Sequence, residues 1–280
     1  PAGGGIILGH EFSGEVAQLG DRVEGLKVDD RVISSSRGGN AEYIRIPAMS
    51  RPLVIPFPDS LSFEEAATNE PLAASLHSVN LANPQDNETI VVLGMGLIGL
   101  GVLQILKATS KARIVAVDVS EKRLDMAKQI GADVVLNAAK TNPYESMLKM
   151  TGSTKIPYLE HPVSGVDTVI DCAGQSTDAK GQPPLWQALQ MVKQNGKVVE
   201  VAIFEKSCDL DLNIVMRKGI HLIGSWAWSP QEFIAALELM KTGKVDRKPL
   251  ITHRFPLVKA KQAYETQLSS REAIKVVITP

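Results

Sequence analysis

The sequence predicts an α/β protein in which a doubly wound parallel sheet accompanies a smaller, β-rich module. Strand-like and helix-like segments alternate from about residue 88 to residue 225, as in stacked βαβ units. Most of these strands are apolar on both faces, which is typical of a parallel sheet covered by helices. The predicted strands are Thr89–Leu93, Arg113–Val117, Asp133–Leu136, Val166–Asp171, Lys197–Val201 and Ile220–Gly224.

Capping residues predict where helices begin and end. Ser120 can cap a helix over residues 122–130, and Gly131 can end it. An apolar stripe predicts a helix over residues 185–192. Ser229–Glu232 reads as a capping box with proline at the first helical position.

The two ends of the chain differ from its middle. Short strands over Glu11–Val16 and Ala41–Ile46, between turns rich in glycine and aspartate, predict a β-rich module. A helix over Val258–Leu268 and a strand over Ile274–Ile278 are expected near the C-terminus. The chain therefore divides into a β-rich segment of residues 1–72, a central α/β segment of residues 73–225, and a C-terminal segment of residues 226–280.

Composition narrows the function. Against 31 acidic residues, 30 Lys and Arg leave no basic surface for nucleic acid and no polybasic membrane patch. The longest apolar stretch, Ile90–Leu106, is broken by glycines and is shorter than the ~20 residues that span a bilayer. The two cysteines suit a cytoplasmic protein and are too few for a four-cysteine zinc cluster.

A glycine loop predicts a dinucleotide site. Gly94, Gly96 and Gly99, with Leu97 and Ile98 between them, follow a predicted strand and open a predicted helix. In this pattern the glycines allow a tight turn, close approach of a pyrophosphate, and close packing of helix and strand.

Asp118 ends the next strand. There its carboxylate can accept hydrogen bonds from the adenosine-ribose hydroxyls of NAD and repel the 2′-phosphate of NADP. The Arg123 guanidinium could instead bind that phosphate, or its side chain could pack over the adenine. The sequence thus favours NAD over NADP.

A second motif runs from Gly9-His10-Glu11 through Gly14 to Gly20 and Val23. It resembles the zinc signature of the medium-chain alcohol and polyol dehydrogenases. Further segments are similar to that family: Asp30-Arg31-Val32, Ala41-Glu42-Tyr43, Glu70-Pro71-Leu72-Ala73 and Ile251–Leu257. The resemblance covers essentially the whole chain and is closest to the sorbitol, threonine and butanediol branch.

The resemblance implies that residues 73–225 form an NAD-binding Rossmann domain, inserted in a GroES-like catalytic domain that residues 1–72 begin and residues 226–280 complete. It also implies zinc held by His10 and Glu70. Glu11 would orient these ligands or exchange with them. A third ligand, a cysteine, is expected upstream of Gly9, so we expect a chain truncated at its N-terminus and a GroES-like domain that is only partial. The family's four-cysteine structural lobe is absent between Asp30-Arg31-Val32 and Ala41-Glu42-Tyr43.

The predicted activity is hydride transfer between a secondary alcohol or polyol and NAD, with zinc as Lewis acid. Two alternatives remain at this point: a zinc-free reductase of the quinone or enoyl type, and an NAD-binding protein without catalytic activity. The resemblance also implies a homodimer or homotetramer, paired through the edge strand near His221–Gly224. Trp226 and Trp228 could line a substrate pocket or simply pack.

Overall fold

A computed structural model describes residues 6–174, 178, 180, 182–270 and 272–280. The chain forms two compact units, Ser75–Ala227 and a second one composed of Pro1–Ala74 and Trp228–Pro280. The strands are β1 (Phe12–Glu15), β2 (Arg31–Ser34), β3 (Ile55–Pro56), β4 (Thr89–Leu93), β5 (Arg113–Asp118), β6 (Val134–Asn137), β7 (Ser153–Thr154), β8 (Val163–Ser164), β9 (Val166–Asp171), β10 (Val192–Glu200), β11 (His221–Gly224), β12 (Ile251–Pro256) and β13 (Lys275–Thr279).

The α-helices are α1 (Phe63–Ala66), α2 (Asn69–Ala82), α3 (Leu97–Thr109), α4 (Glu121–Ile130), α5 (Pro143–Thr151), α6 (Pro184–Met191), α7 (Leu212–Lys218), α8 (Pro230–Lys241) and α9 (Ala260–Ser269). Short 3-10 turns cover Ala48–Leu53, Lys248–Leu250 and Leu257–Lys259. In the described part of the chain, no helix is both long and apolar enough to cross a membrane.

The unit Ser75–Ala227 contains the predicted doubly wound sheet. Its strands lie in the order β6-β5-β4-β9-β10-β11 and pair in parallel throughout. Successive strands are added outward from β4 on one side of the sheet and outward from β9 on the other. The position between β4 and β9 is therefore the topological switch point, where open α/β sheets bind ligands at the carboxyl ends of their strands. Apolar side chains of β4, β5, β9 and β10 are fully covered, as the sequence pattern required.

The predicted caps form as expected. Ser120 accepts a hydrogen bond from the Arg123 N–H, and Gly131 ends α4 in the left-handed conformation. The capping box Ser229–Glu232 opens α8 with both of its hydrogen bonds present. The helix predicted over residues 185–192 ends at Met191, because β10 begins immediately at Val192.

The other unit holds a three-stranded antiparallel sheet, β1-β2-β3, and the parallel pair β12-β13. Val16, Val32 and Val54 form a small hydrophobic cluster at the sheet. The Arg31 guanidinium lies 4.5 Å from the ring centres of both Phe57 and Phe63. Arg31 also donates to the Leu61 carbonyl at 2.7 Å, which joins the sheet to the chain that leads into α1.

One predicted strand is wrong. Ala41–Ile46 forms no strand, and β2 and β3 provide the partners of β1 instead. Tyr43 is 79% exposed, so this short segment between turns does not cover a buried face. A strand needs a backbone partner, and turns on either side do not supply one.

Candidate functional site

Three side chains in the unit of Pro1–Ala74 and Trp228–Pro280 converge as the sequence predicts. His10, Glu11 and Glu70 each offer one ligand atom, and these atoms all lie within 4.8 Å of one another. His10 and Glu11 immediately precede β1, whereas Glu70 lies in the first turn of α2. Gly9 has φ of +88°, and a Cβ there would meet the Asn40 side chain at 2.8 Å. Glycine is therefore required for the turn that presents His10.

The donor set suits a divalent metal ion. It combines one imidazole with two carboxylates, and a catalytic zinc keeps three protein ligands and one open position. His10 Nε2 lies 3.7 Å from Glu70 Oε1, and the His10 side chain is 58% exposed. The cluster formed by His10, Glu11 and Glu70 is therefore open to solvent on the side of the His10 imidazole, where a further ligand could bind.

Glu70 experiences two opposing influences. Burial raises the pKa of Glu70, and the negative charge of Glu11 adds to this effect. A hydrogen bond from Trp228 Nε1 to Glu70 Oε1, 2.8 Å long, acts in the opposite direction. A bound cation would relieve the repulsion between the two carboxylates.

Basic residues surround Glu11. Lys275 Nζ from β13 donates to Glu11 Oε2 in a partly buried ion pair. Arg247, only 1% exposed, donates to Thr68 Oγ1 at 3.3 Å; burial lowers the pKa of Arg247 to about 10, and the charge of Glu11 acts in the opposite direction. One oxygen of Glu11 is therefore engaged by Lys275. This arrangement suits an orienting or exchangeable carboxylate better than a permanent ligand.

The glycine loop lies between β4 and α3, as predicted. A Cβ on Gly99 would meet the Gly94 carbonyl oxygen at 1.8 Å, whereas a Cβ on Gly96 would meet nothing within 4 Å. Gly96 is the N-cap of α3 and provides no side chain to satisfy the first N–H groups of the helix. Open space beside unsatisfied N–H groups fits the phosphates of a dinucleotide.

A cavity of about 180 Å³ lies at the carboxyl ends of β4, β5 and β9. Of the predicted cofactor residues, Gly94, Gly96, Asp118 and Arg123 line it. Leu97, Ile98 and Gly99 are not among its described lining residues. The cavity also includes residues that sequence reasoning missed, namely Leu93, Val117, Val119, Ala138, Pro143, Cys172, Ala173, Pro184 and Gln187.

Asp118 is 7% exposed and already accepts two backbone hydrogen bonds. Its Oδ2 accepts from the Met95 N–H at 2.6 Å, and its Oδ1 accepts from the Ser120 N–H at 2.8 Å. A carboxylate has about four acceptor positions, so two remain for ribose hydroxyls. Asp118 thus holds the glycine loop in place at the edge of the cavity.

Two further acids were missed by sequence reasoning. Asp171 and Glu200 end the adjacent strands β9 and β10 and lie directly opposite each other. Burial raises the pKa of Asp171 to about 6 and, together with the charge of Asp171, that of Glu200 to about 9. Polar residues at the ends of two predicted parallel strands were the available signal.

These features are typical of one class of protein: an oxidoreductase with a dinucleotide site on a doubly wound sheet and a candidate metal site of nitrogen and oxygen donors. The zinc-binding dehydrogenase family model matches residues 98–242, and the model of the alcohol dehydrogenase GroES-like domain matches residues 1–59.

Named relatives agree with these matches. The chain is 30% identical to D-arabitol-phosphate dehydrogenase from Enterococcus avium, over 98% of this chain and 81% of that protein. It is 28% identical to sorbitol dehydrogenase 1 from Saccharomyces cerevisiae, with the same coverage of both chains. The crystal structure of 2R,3R-butanediol dehydrogenase from Bacillus subtilis superposes with a TM-score of 0.77 at 26% identity, over 98% and 80% of the two chains.

The chain belongs to the zinc-binding alcohol dehydrogenase family, with a Rossmann and a GroES-like domain. It is an oxidoreductase of alcohols whose cofactors are zinc and NAD or NADP. The family favours the dehydrogenase hypothesis over the zinc-free reductase and the inactive binding protein.

Proposed function

We propose that this chain transfers a hydride between a secondary alcohol or polyol and NAD, with the metal held by His10 and Glu70 and adjusted by Glu11. The observation that carries the proposal is the convergence of these three side chains within 4.8 Å from separate segments. Relatives named for sorbitol, arabitol phosphate and butanediol support the substrate class.

The chemistry follows from these roles. When bound, zinc supplies Lewis acidity to the alcohol oxygen, and the nicotinamide supplies the hydride acceptor. His10 and Glu70 hold the metal at the exposed side of the cluster. Lys275 balances the charge of Glu11, so that the cluster does not hold two unpaired carboxylates.

Metal analysis and NADH formation test the proposal on the protein expressed from its full coding sequence. The substrate panel includes sorbitol, butane-2,3-diol and phosphorylated polyols. His10→Ala and Glu70→Gln are expected to lose bound zinc and activity but to retain NAD binding. The matched controls are His161→Ala and Glu15→Gln, which alter exposed residues away from the cluster. Full zinc content in both cluster variants would contradict the ligand assignment.

The preference for NAD rests on Asp118, whose charge lies at the cavity edge. Asp118→Asn keeps one acceptor oxygen, so one of the Met95 and Ser120 N–H groups loses its acceptor, and it removes the charge that repels a 2′-phosphate. We expect the ratio of kcat/KM for NAD to that for NADP to fall in this variant. Asp125→Asn, a change at an exposed position of α4, should leave the ratio unchanged.

The proposed assembly is a homodimer or homotetramer paired through β11, the edge strand of the six-stranded sheet. Leu222 on this strand and Trp226 just beyond it are exposed, 39% and 77% respectively. Edge strands with exposed apolar residues favour pairing with another chain. Light scattering after size-exclusion chromatography should show the wild type as an oligomer and Leu222→Lys as a smaller species.

Each unit has a proposed role. Residues 73–225 bind the dinucleotide, and residues 1–72 with 226–280 form the catalytic domain; the division of the chain into two compact units supports this assignment. We place the protein in the cytoplasm, since Cys172 and Cys208 are both free thiols, the state that a reducing compartment maintains. Fractionation of the cell of origin tests that location.

A further inference from the structure

Trp228 contacts the candidate metal site of His10, Glu11 and Glu70 through a hydrogen bond to Glu70. Its indole Nε1 donates to Glu70 Oε1 at 2.8 Å. The acceptor is the same carboxylate oxygen that faces His10 Nε2 at 3.7 Å. The indole thus acts on the edge of the Glu70 carboxylate that takes part in the cluster.

The indole is itself firmly held. Its ring stacks on Phe233, with ring centres 4.6 Å apart and planes 29° from parallel. Phe233 is completely buried in α8. The next residue, Ser229, is the N-cap of α8, and its capping box with Glu232 fixes the backbone beside the indole. The N–H group of Trp228 therefore points at Glu70 from a rigid support.

We propose that Trp228 is a positioning residue for the metal, orienting the Glu70 carboxylate toward His10. This inference rests on the metal site proposed above. A carboxylate that ligates a metal is commonly hydrogen-bonded in turn, and such partners govern metal affinity.

The test uses Trp228→Phe, which removes the N–H donor but keeps an aromatic ring against Phe233. Zn²⁺ affinity is measured by competition with a coloured chelator, and the bound Co²⁺ form by its visible absorption. We expect Zn²⁺ affinity about 10-fold weaker and a changed Co²⁺ spectrum, as for the loss of a hydrogen bond to a metal ligand. Trp228→His, whose imidazole can still donate, should restore part of the affinity.

Trp186→Phe is the matched control, because it also removes an indole N–H donor, which bonds to the Asp209 carbonyl at 3.0 Å, and Trp186 belongs to the unit that does not hold the metal site. It should bind Zn²⁺ as the wild type does. The thermal midpoint of the metal-free protein shows whether packing alone has changed. It should be similar in Trp228→Phe and the wild type.

Each outcome decides a different statement. If the wild type itself binds no Zn²⁺, the proposed function fails, and the role of Trp228 fails with it. If the wild type and Trp228→Phe bind Zn²⁺ equally, the metal site stands and only the positioning role is overturned. A loss of affinity that Trp228→His repeats in full, together with a lower midpoint in both, would show that Trp228 only packs. Should Trp228→Phe not fold, the affinity and Co²⁺ spectrum of Trp228→His alone decide.

Discussion

Gly96 and Gly99 belong to one loop, yet the space around them differs completely. A Cβ on Gly96 would meet no atom within 4 Å, whereas a Cβ on Gly99 would meet a backbone oxygen at 1.8 Å. The sequence motif assigns one glycine to ligand approach and the other to close packing. The structure shows both kinds of space at the predicted positions.

Alanine substitutions should separate the two roles. Gly96→Ala is expected to change the free energy of unfolding by about 1 kcal/mol or less, the scale of a helix-cap change, and to weaken NAD binding clearly. Gly99→Ala should destabilise the protein by about 1–3 kcal/mol, since an overpacked site must shift its backbone.

Urea unfolding and the fluorescence of bound NADH provide the two measurements. Equal NADH affinity in Gly96→Ala and the wild type would show that the open space beside Gly96 does not hold the pyrophosphate.

At the scale of single elements, Lys218 of α7 caps the C-terminus of the neighbouring helix α6. It is fully buried at the end of α7, and its Nζ donates to the carbonyls of Leu189 and Gln190 at 2.6 and 3.0 Å. These carbonyls belong to the last turn of α6, where intrahelical donors run out. Burial lowers the pKa of Lys218 to about 7, and the amine donates hydrogen bonds in both its charged and neutral forms.

Lys218→Met should therefore leave the Leu189 and Gln190 carbonyls without this hydrogen-bond donor. We expect a loss of about 1–3 kcal/mol in the free energy of unfolding, the cost of a buried polar group without its partner. Urea unfolding measures it. Lys155→Met, at an exposed position, should leave the midpoint unchanged. A Lys218→Met protein as stable as the wild type would mean that the carbonyls find other donors.

Most elements could be predicted because their signals are local. Strands of the six-stranded sheet are apolar on both faces, and Ser120, Gly131 and the Ser229 box mark helix ends wherever the chain folds. Strand pairing is not local, so Ala41–Ile46 was wrongly predicted as a strand. The partner strands β2 and β3 were not foreseen.

The candidate site divides in the same way. His10, Glu11 and the glycine loop carry motifs within a few neighbouring residues. The bonds of Trp228 to Glu70 and of Lys275 to Glu11 join residues that lie far apart in the sequence. Only the tertiary fold brings such side chains together, and no spacing in the sequence encodes their contact.

At the scale of the whole molecule, the acid pair Asp171 and Glu200 should make stability depend on pH. Asp171 Oδ1 accepts from the N–H groups of Ala173 and Gly174, and Glu200 Oε1 accepts from that of Ala202. The other oxygens, Asp171 Oδ2 and Glu200 Oε2, are buried without a described donor. We expect a proton held by Glu200 to be the donor that joins the two carboxyls.

The sign of the effect follows from the two pKa values. Unfolded Asp and Glu titrate near pH ~4, whereas burial raises the pKa of Asp171 to about 6 and that of Glu200 to about 9. The folded protein therefore holds protons that the unfolded chain has already released. Stability from this pair is complete below pH ~4 and falls as the pH rises through about 6 and then about 9.

Glu200→Gln should remove most of this dependence. The Gln amide can donate permanently to Asp171, so that Asp171 ionises more easily and no shared proton is lost above pH ~6. Between pH 6 and 9 we expect the wild type to lose stability relative to Glu200→Gln by up to about 1.4 kcal/mol per pH unit, the value for one proton. Urea unfolding across that range, compared with the exposed-site control Glu160→Gln, measures the difference. Lys218 titrates in all three proteins, so its contribution cancels in the comparison. If wild type and Glu200→Gln respond to pH in parallel, then Asp171 and Glu200 do not share a proton, and another donor must satisfy their buried oxygens.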